Sequence, residues 1–170
     1  WYYNGGAANL APQWWRSFEK PLPAGFTGDR IAKYHELLFD PDPAVHLPAG
    51  VAWTTWEAAT SHLEFDQAHV DEFSDPAFAL AFARIENHYF VNGGFFEVED
   101  QLLRDAHRIA DIPGVIVHGR YDVVCPLANA WDLHRAWPKS RLEITAAAGH
   151  SAFEPANIDA LVRATDAFAG

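Results

Sequence analysis

The sequence predicts an α/β fold, and three observations carry that prediction. Apolar residues recur at helical spacing from residue 12 to about residue 109; short β-branched runs appear after Ile112; and those runs alternate with further helical patterns. Strand, helix, strand, helix is the signature of a parallel sheet covered by helices. The chain has 170 residues, 49% hydrophobic and 21% charged, which suffices for a real core and argues against disorder.

Taken in order, the helical patterns are GDRIAKYHELLF (28–39), AVHLPAGVAWTTWEAATSHL (44–63), DPAFALAFARIENHYF (75–90) and EDQLLRDAHRI (99–109). Ser74-Asp75-Pro76 reads as a helix start and Gly93-Gly94 as a stop. Pro48-Ala49-Gly50 is expected to break or kink the second pattern. GVIVHG (114–119) and LEIT (142–145) read as strands. Between them LANAWDLHRAW places Leu127, Ala130, Trp131, His134 and Trp137 on one helix face, and a last helix over 157–169 aligns Ile158, Leu161, Val162, Thr165 and Phe168. A parallel pair needs both faces covered and more strands beside it, so this half is expected to lean on strands outside the sequence. The boundary between a helical lobe, 1–111, and the tail of an α/β lobe, 112–170, is drawn near Asp111.

A net charge of -11 repels phosphate backbones, which argues against nucleic acid as a partner. No apolar run approaches about 18 residues, so no membrane-spanning helix is expected. Cys125, the one cysteine, excludes an internal disulfide and favours a reducing compartment, the cytoplasm. The chain opens WYYNGGAANL, without Met or a basic-then-apolar leader, and is expected to be part of a longer protein.

The stretch GVIVHGRYDVVCP is a strand ending in an Asp turn, and AAAGHSAFEP carries a Gly-His in a loop after the second strand. In open parallel sheets, functional side chains gather beyond the carboxyl ends of strands. Asp122 and His150 therefore read as the last two members of a Ser…Asp…His triad, in the chain order of α/β-hydrolases. Asp122 would fix the tautomer of His150 and stabilise its imidazolium. A turn Asp bonded to its own backbone is the ordinary alternative for Asp122, and a buried structural His for His150. No Gly-x-Ser-x-Gly is present: Ser17, Ser61, Ser74, Ser140 and Ser151 all lack that setting. Cys125, three positions past Asp122, reads either as a thiol beside the pair, where reagents would obstruct it, or as an inert small hydrophobe.

Glu57 lies four residues after Trp53 and Glu86 four after Phe82, so each shares a helix face with a large aromatic. A carboxylate in such company is costly unless paired. From the residues alone a structural salt bridge, with a cation near Arg84 or another Arg, stays slightly ahead of a ligand role. The histidines offer no metal site: His35 opens HELLF with Phe39 where a second ligand belongs, and His46, His62, His69 and His107 read as solvated or core residues. No metal or cofactor is expected.

FALAFARIENHYFVNGGF, VIVHGRYDVVCPLANAWDLHRAWP and AGHSAFEP resemble the proline iminopeptidases, prolyl aminopeptidases of the α/β-hydrolase superfamily. WYYNGGA and AWTTWEAAT extend the likeness over nearly the whole chain, most thinly between Pro12 and Pro48. The resemblance implies a helical cap followed by the last two parallel strands and helices of an α/β-hydrolase, with the serine elbow and oxyanion loop in a missing N-terminal portion. It implies peptides with N-terminal proline as substrates, and Glu57 and Glu86 as ligands of the free amine. It also implies Tyr2 and Tyr3 beside a pyrrolidine pocket, their polar tips wet. Competing readings are another capped α/β-hydrolase, such as an esterase or epoxide hydrolase, and a noncatalytic peptide-binding module.

Overall fold

Aspartates set the starts of α2 (Arg30–Leu38), α4 (Gln67–Phe73) and α5 (Pro76–Val91) in the computed structural model, which describes residues 1–169. Asp29, Asp66 and Asp75 each accept hydrogen bonds from the N–H groups two and three residues on, satisfying donors the helix itself leaves open. α1 (Pro12–Glu19) begins with proline in its first turn. α5 stops at Asn92, after which Gly93, Gly94 and Phe95 have φ of 57°, 63° and 61°, a left-handed run that only glycine enters freely.

The break expected at Pro48-Ala49-Gly50 does not occur, because α3 (Pro43–Ser61) runs through it with Pro48 inside. Proline there forfeits a backbone bond near the helix start, and packing outweighs that loss. Gly50 is where α3 meets α5: a Cβ at this position would lie 3.1 Å from Leu80 Cα. Three and six residues on, Trp53 and Trp56 are fully buried. The pattern over 99–109 divides into α6 (Gln101–Arg104) and a 3-10 turn, Asp105–Ile109.

The chain forms two compact units. The first comprises Trp1–Thr60 and Phe65–Phe96; the second comprises Ser61–Glu64 and the residues from Glu97 onward. Phe18, Tyr34, Leu38, Trp53 and Trp56 make the centre of the first. Tyr34 stacks on Phe18 at 4.6 Å and donates its hydroxyl to the Phe18 carbonyl at 2.5 Å. α2 and α5 are joined by Asn87, fully buried, which accepts from His35 Nδ1 at 2.8 Å and donates to the Ile31 carbonyl at 2.9 Å.

In the second unit β1 (Gly114–Gly119) and β2 (Ser140–Thr145) pair in parallel, with Gly114 opposite Ser140 and Gly119 opposite Thr145. β2 begins two residues before its β-branched run. α7 (Leu127–Ala136) connects the strands and α8 (Pro155–Ala169) follows β2. The chain is thus α/β, helices with two parallel strands. Both helices pack through small residues, Ala130 on α7 and Ala160 and Ala164 on α8. Trp131 and the aligned Ile158, Leu161, Val162 and Phe168 are exposed instead. A two-strand sheet offers room for the small face only, so the larger stripe of α8 stays uncovered.

Gly119 closes β1 where the chain has no space for a side chain: a Cβ there would lie 1.9 Å from the Gly149 carbonyl oxygen and 2.7 Å from that of Ala148. Gly119→Ala is expected to push apart the loops after β1 and β2 and to cost about 1–3 kcal/mol or more. Urea unfolding reads this directly, and a variant as stable as the parent would contradict the close approach.

Candidate functional site

Past Gly119 the chain turns sharply, with Asp122 N–H donating to the Gly119 carbonyl at 3.2 Å and Tyr121 N–H to the Ala148 carbonyl at 3.0 Å. The second bond extends the strand pairing into the loops and brings the two strand ends side by side. Asp122 then divides its carboxylate. Oδ1 accepts from the N–H groups of Val124 at 3.0 Å and Cys125 at 2.8 Å, while Oδ2 faces His150 Nδ1 at 3.0 Å. The turn role and the histidine-partner role, weighed as alternatives from the sequence, coexist on one side chain. Its exposure is 5%, against 39% for the His150 side chain, so the carboxylate is inside and the imidazole open.

The His150 loop is held by residues that the sequence reading did not single out. Buried Glu154 accepts from Gly149 N–H at 2.6 Å and from Leu63 N–H at 3.2 Å. Asn157 donates to the Ser151 carbonyl at 2.8 Å and accepts from the Thr145 hydroxyl at 2.6 Å. The N–H groups of His150 and Ser151 both donate to the Ser61 carbonyl, at 3.0 and 2.8 Å. His118, on β1, places Nε2 2.9 Å from the Cys125 carbonyl and 3.5 Å from Asp122 Oδ2. A carboxylate just before Pro155, at the start of α8, was the available signal for Glu154; nothing local marked His118.

Cys125 is an exposed free thiol, not a buried hydrophobe. With His118, Gly119, Asp122 and His150 it lines a cavity of about 280 Å³. His150 is raised from its ordinary value to about 10, first by the Asp122 hydrogen bond and then by one to Cys125; burial works in the opposite direction.

In the first unit, Tyr3 is the meeting point of the two glutamates. Its hydroxyl donates to Glu57 Oε1 and stands 3.5 Å from Glu86 Oε2, which also accepts from the indole N–H of Trp53 at 2.7 Å. Tyr3 stacks on Trp53 at 4.4 Å and Tyr2 on Trp56 at 5.1 Å. The Tyr2 hydroxyl lies 2.6 Å from Thr60 Oγ1. Both tyrosine tips are therefore buried and bonded rather than wet. Burial first, and the neighbouring Glu57 second, push both phenols well above their usual range, so they remain donors. Phe82, on the same helix as Glu86 and four residues before it, packs with Phe73 and Phe78. Arg84 donates to the Leu38 carbonyl at 2.8 Å. Among the described residues no group of three or more His, Cys, Asp or Glu side chains is arranged to hold a metal ion.

No family model matches the chain. It is 63% identical over 99% of its length to the proline iminopeptidase of Xanthomonas citri, covering 54% of that protein. It is 46% identical over 91% of its length to the proline iminopeptidase of Arabidopsis thaliana and 41% identical over 95% to that of Neisseria gonorrhoeae, covering 41% and 51% of them. The chain spans about half the length of the curated relatives it matches. The family that its motifs resemble is the one these relatives are named for.

The raised value of His150 has a defined pH signature. A histidine whose folded value lies above the unfolded one, about 6.5, contributes stability that is fully present below 6.5 and is lost as pH rises through the folded value, about 10. NMR titration is expected to show His150 protonated at neutral pH. Asp122→Asn should return its midpoint toward the ordinary range; a parent midpoint near 6.5 would contradict the pairing.

Proposed function

We propose that the chain, whose likeness to the proline iminopeptidases runs over 99% of its length, is the C-terminal portion of a serine aminopeptidase that releases N-terminal proline from peptides. The observation that carries this reading is the Asp122–His150 pair, 28 positions apart in sequence and 3.0 Å apart in space at adjoining strand ends. In this proposal a serine on a Gly-x-Ser-x-Gly elbow, supplied by the missing N-terminal portion, attacks the scissile carbonyl. His150 takes the serine proton and returns it to the leaving amine, and Asp122 holds the imidazole by Nδ1 so that Nε2 does the work.

His150 must be neutral before the attack. Asp122 and Cys125 favour the imidazolium, and burial is the influence that opposes them. Covering the open His150 loop with the rest of a hydrolase core deepens that burial and moves the group toward a working range. The exposed apolar stripe of α8 and the open edges of a two-strand sheet support a core larger than this chain supplies.

Residues 1–111 act in this reading as the cap. Glu57 and Glu86, which converge on the Tyr3 hydroxyl, take the secondary ammonium of an N-terminal proline through charge-assisted hydrogen bonds that a blocked peptide cannot make. Tyr2 and Tyr3, stacked on Trp56 and Trp53, offer flat rings beside the pyrrolidine. Small peptides are the partners and no cofactor is required. No helix among the described residues is long and apolar enough to cross a membrane, and the cytoplasm is the proposed site of action.

Joined to its missing portion, the protein is expected to hydrolyse prolyl-naphthylamide. Asp122→Asn or His150→Ala should lower kcat by about a thousand- to ten-thousandfold. Glu57→Gln and Glu86→Gln should each remove about 1.5–3 kcal/mol of transition-state binding. Equal cleavage of N-acetylated and free substrates would point instead to an esterase-like hydrolase. Binding without turnover in the joined protein would point to the noncatalytic module.

The 170-residue chain assayed by itself is expected to be inactive. Ser151, its nearest serine in sequence to His150, accepts at Oγ from Phe153 N–H at 3.2 Å within its own loop. The sequence has no Gly-x-Ser-x-Gly elbow to supply an oxyanion donor, worth roughly 3 kcal/mol. Turnover by the chain that disappears in Ser151→Ala would make Ser151 the nucleophile and overturn the division of the site between two portions.

A further inference from the structure

His118 occupies an unusual place. It is the penultimate residue of β1, opposite Ile144 in the strand register, and its side chain is only 12% exposed. A carbonyl oxygen accepts and does not donate, so the 2.9 Å contact with the Cys125 carbonyl requires the proton of His118 to be on Nε2. The same N–H lies 3.5 Å from Asp122 Oδ2, at the outer limit of a hydrogen bond and on the oxygen that faces His150.

The turn after β1 is therefore clamped at its far end. Cys125 has its N–H on Asp122 Oδ1 and its carbonyl on His118, and Pro126 follows with no N–H to add. Oδ1 ties the carboxylate to the turn, and the N–H groups of Arg120 and Tyr121 hold the turn's entry; its exit at Cys125 needs a tie of its own to the strand. His118 supplies that tie from a residue fixed in the strand pairing. We infer that His118 is a positioning residue: by holding the Cys125 carbonyl it aims the second oxygen of Asp122 at His150. Asp122, His150 and the Cys125 thiol are the titratable groups gathered around it in this cavity.

The inference deepens the hydrolase reading and rests on Asp122 and His150 as a working pair, yet its test does not depend on peptidase activity. The midpoint of His150 is read by NMR on the 170-residue chain, with circular dichroism as the control for folding. His118→Phe keeps a ring of similar bulk and removes the donor. His118→Gln keeps an amide N–H that reaches the position of Nε2. The Phe variant is expected to lower the His150 midpoint by about one pH unit or more, a tenfold or larger loss of proton affinity, and the Gln variant to restore most of it. An unchanged midpoint in a folded Phe variant overturns the inference, as does a Gln midpoint no higher than that of Phe. Should the Phe variant not fold, His118→Asn, whose amide is too short to reach the carbonyl, is read in its place with the same two outcomes. The His150 midpoint tests His118 even in a chain that never cleaves a prolyl substrate, and it can refute the positioning role even in a fully active enzyme.

Discussion

The site depends on two backbone segments approaching where no side chain fits between them. At the carboxyl ends of β1 and β2, Gly119 faces the carbonyls of Ala148 and Gly149, and Gly149 in turn packs against Leu63 N and the Glu154 carboxylate. Neither glycine has a positive φ; Gly119 is required for space alone, and at Gly149 a Cβ would sit tightly, 3.0 Å from Leu63 N and 3.1 Å from Glu154 Oε1. With the backbones this close, the strand pairing continues into the loops through Arg120 and Tyr121, which donate to the carbonyls of Thr145 and Ala148. Asp122 and His150 then fall within hydrogen-bond reach without either loop being long.

Neutral donors do much of the work of holding carboxylates in this protein. Glu154 is satisfied by two amide N–H groups, and Asp122 Oδ1 by two more. In the other unit a phenol and an indole N–H face Glu57 and Glu86. Such bonds fill the lone pairs and fix orientation, which meets the cost of burying an oxygen, but they do not cancel its charge. A carboxylate held this way keeps its attraction for a cation. At Asp122 that cation is the imidazolium of His150, raised to about 10.

The meeting of Asp122 and His150 was legible from chain order: a strand end, an Asp turn, a second strand end, a Gly-His. The strands, the start of α5 at Asp75 and its stop at Gly93-Gly94 were legible for similar local reasons. Spacing did not say which element meets a given face. Glu86 and Phe82 share a helix face, yet Glu86 is met by Trp53 from α3 and by Tyr3 from the start of the chain. Pro48 reads as a breaker until Gly50 is seen against Leu80. The regular stripe of α8 marks a face that large neighbours would cover, and these strands cover its alanines instead. In each case a tertiary contact decides, and periodicity carries no information about which element supplies it.

The asymmetry of the Asp122–His150 pair says which of its members is finished. Asp122 is almost wholly buried, with both oxygens engaged by this chain. His150 has Nδ1 committed to Asp122 and a side chain more than a third exposed. An imidazole in that condition is oriented and strongly basic, because the hydrogen bond that orients it also favours its protonated form and solvent leaves that form well hydrated. Orientation and basicity are thus set by different neighbours. Asp122, with the turn around it, supplies the first from within the chain. The second follows how much water reaches the open face of the ring: burial lowers it, so in the proposed hydrolase whatever covers that face would bring His150 down toward the range a general base needs.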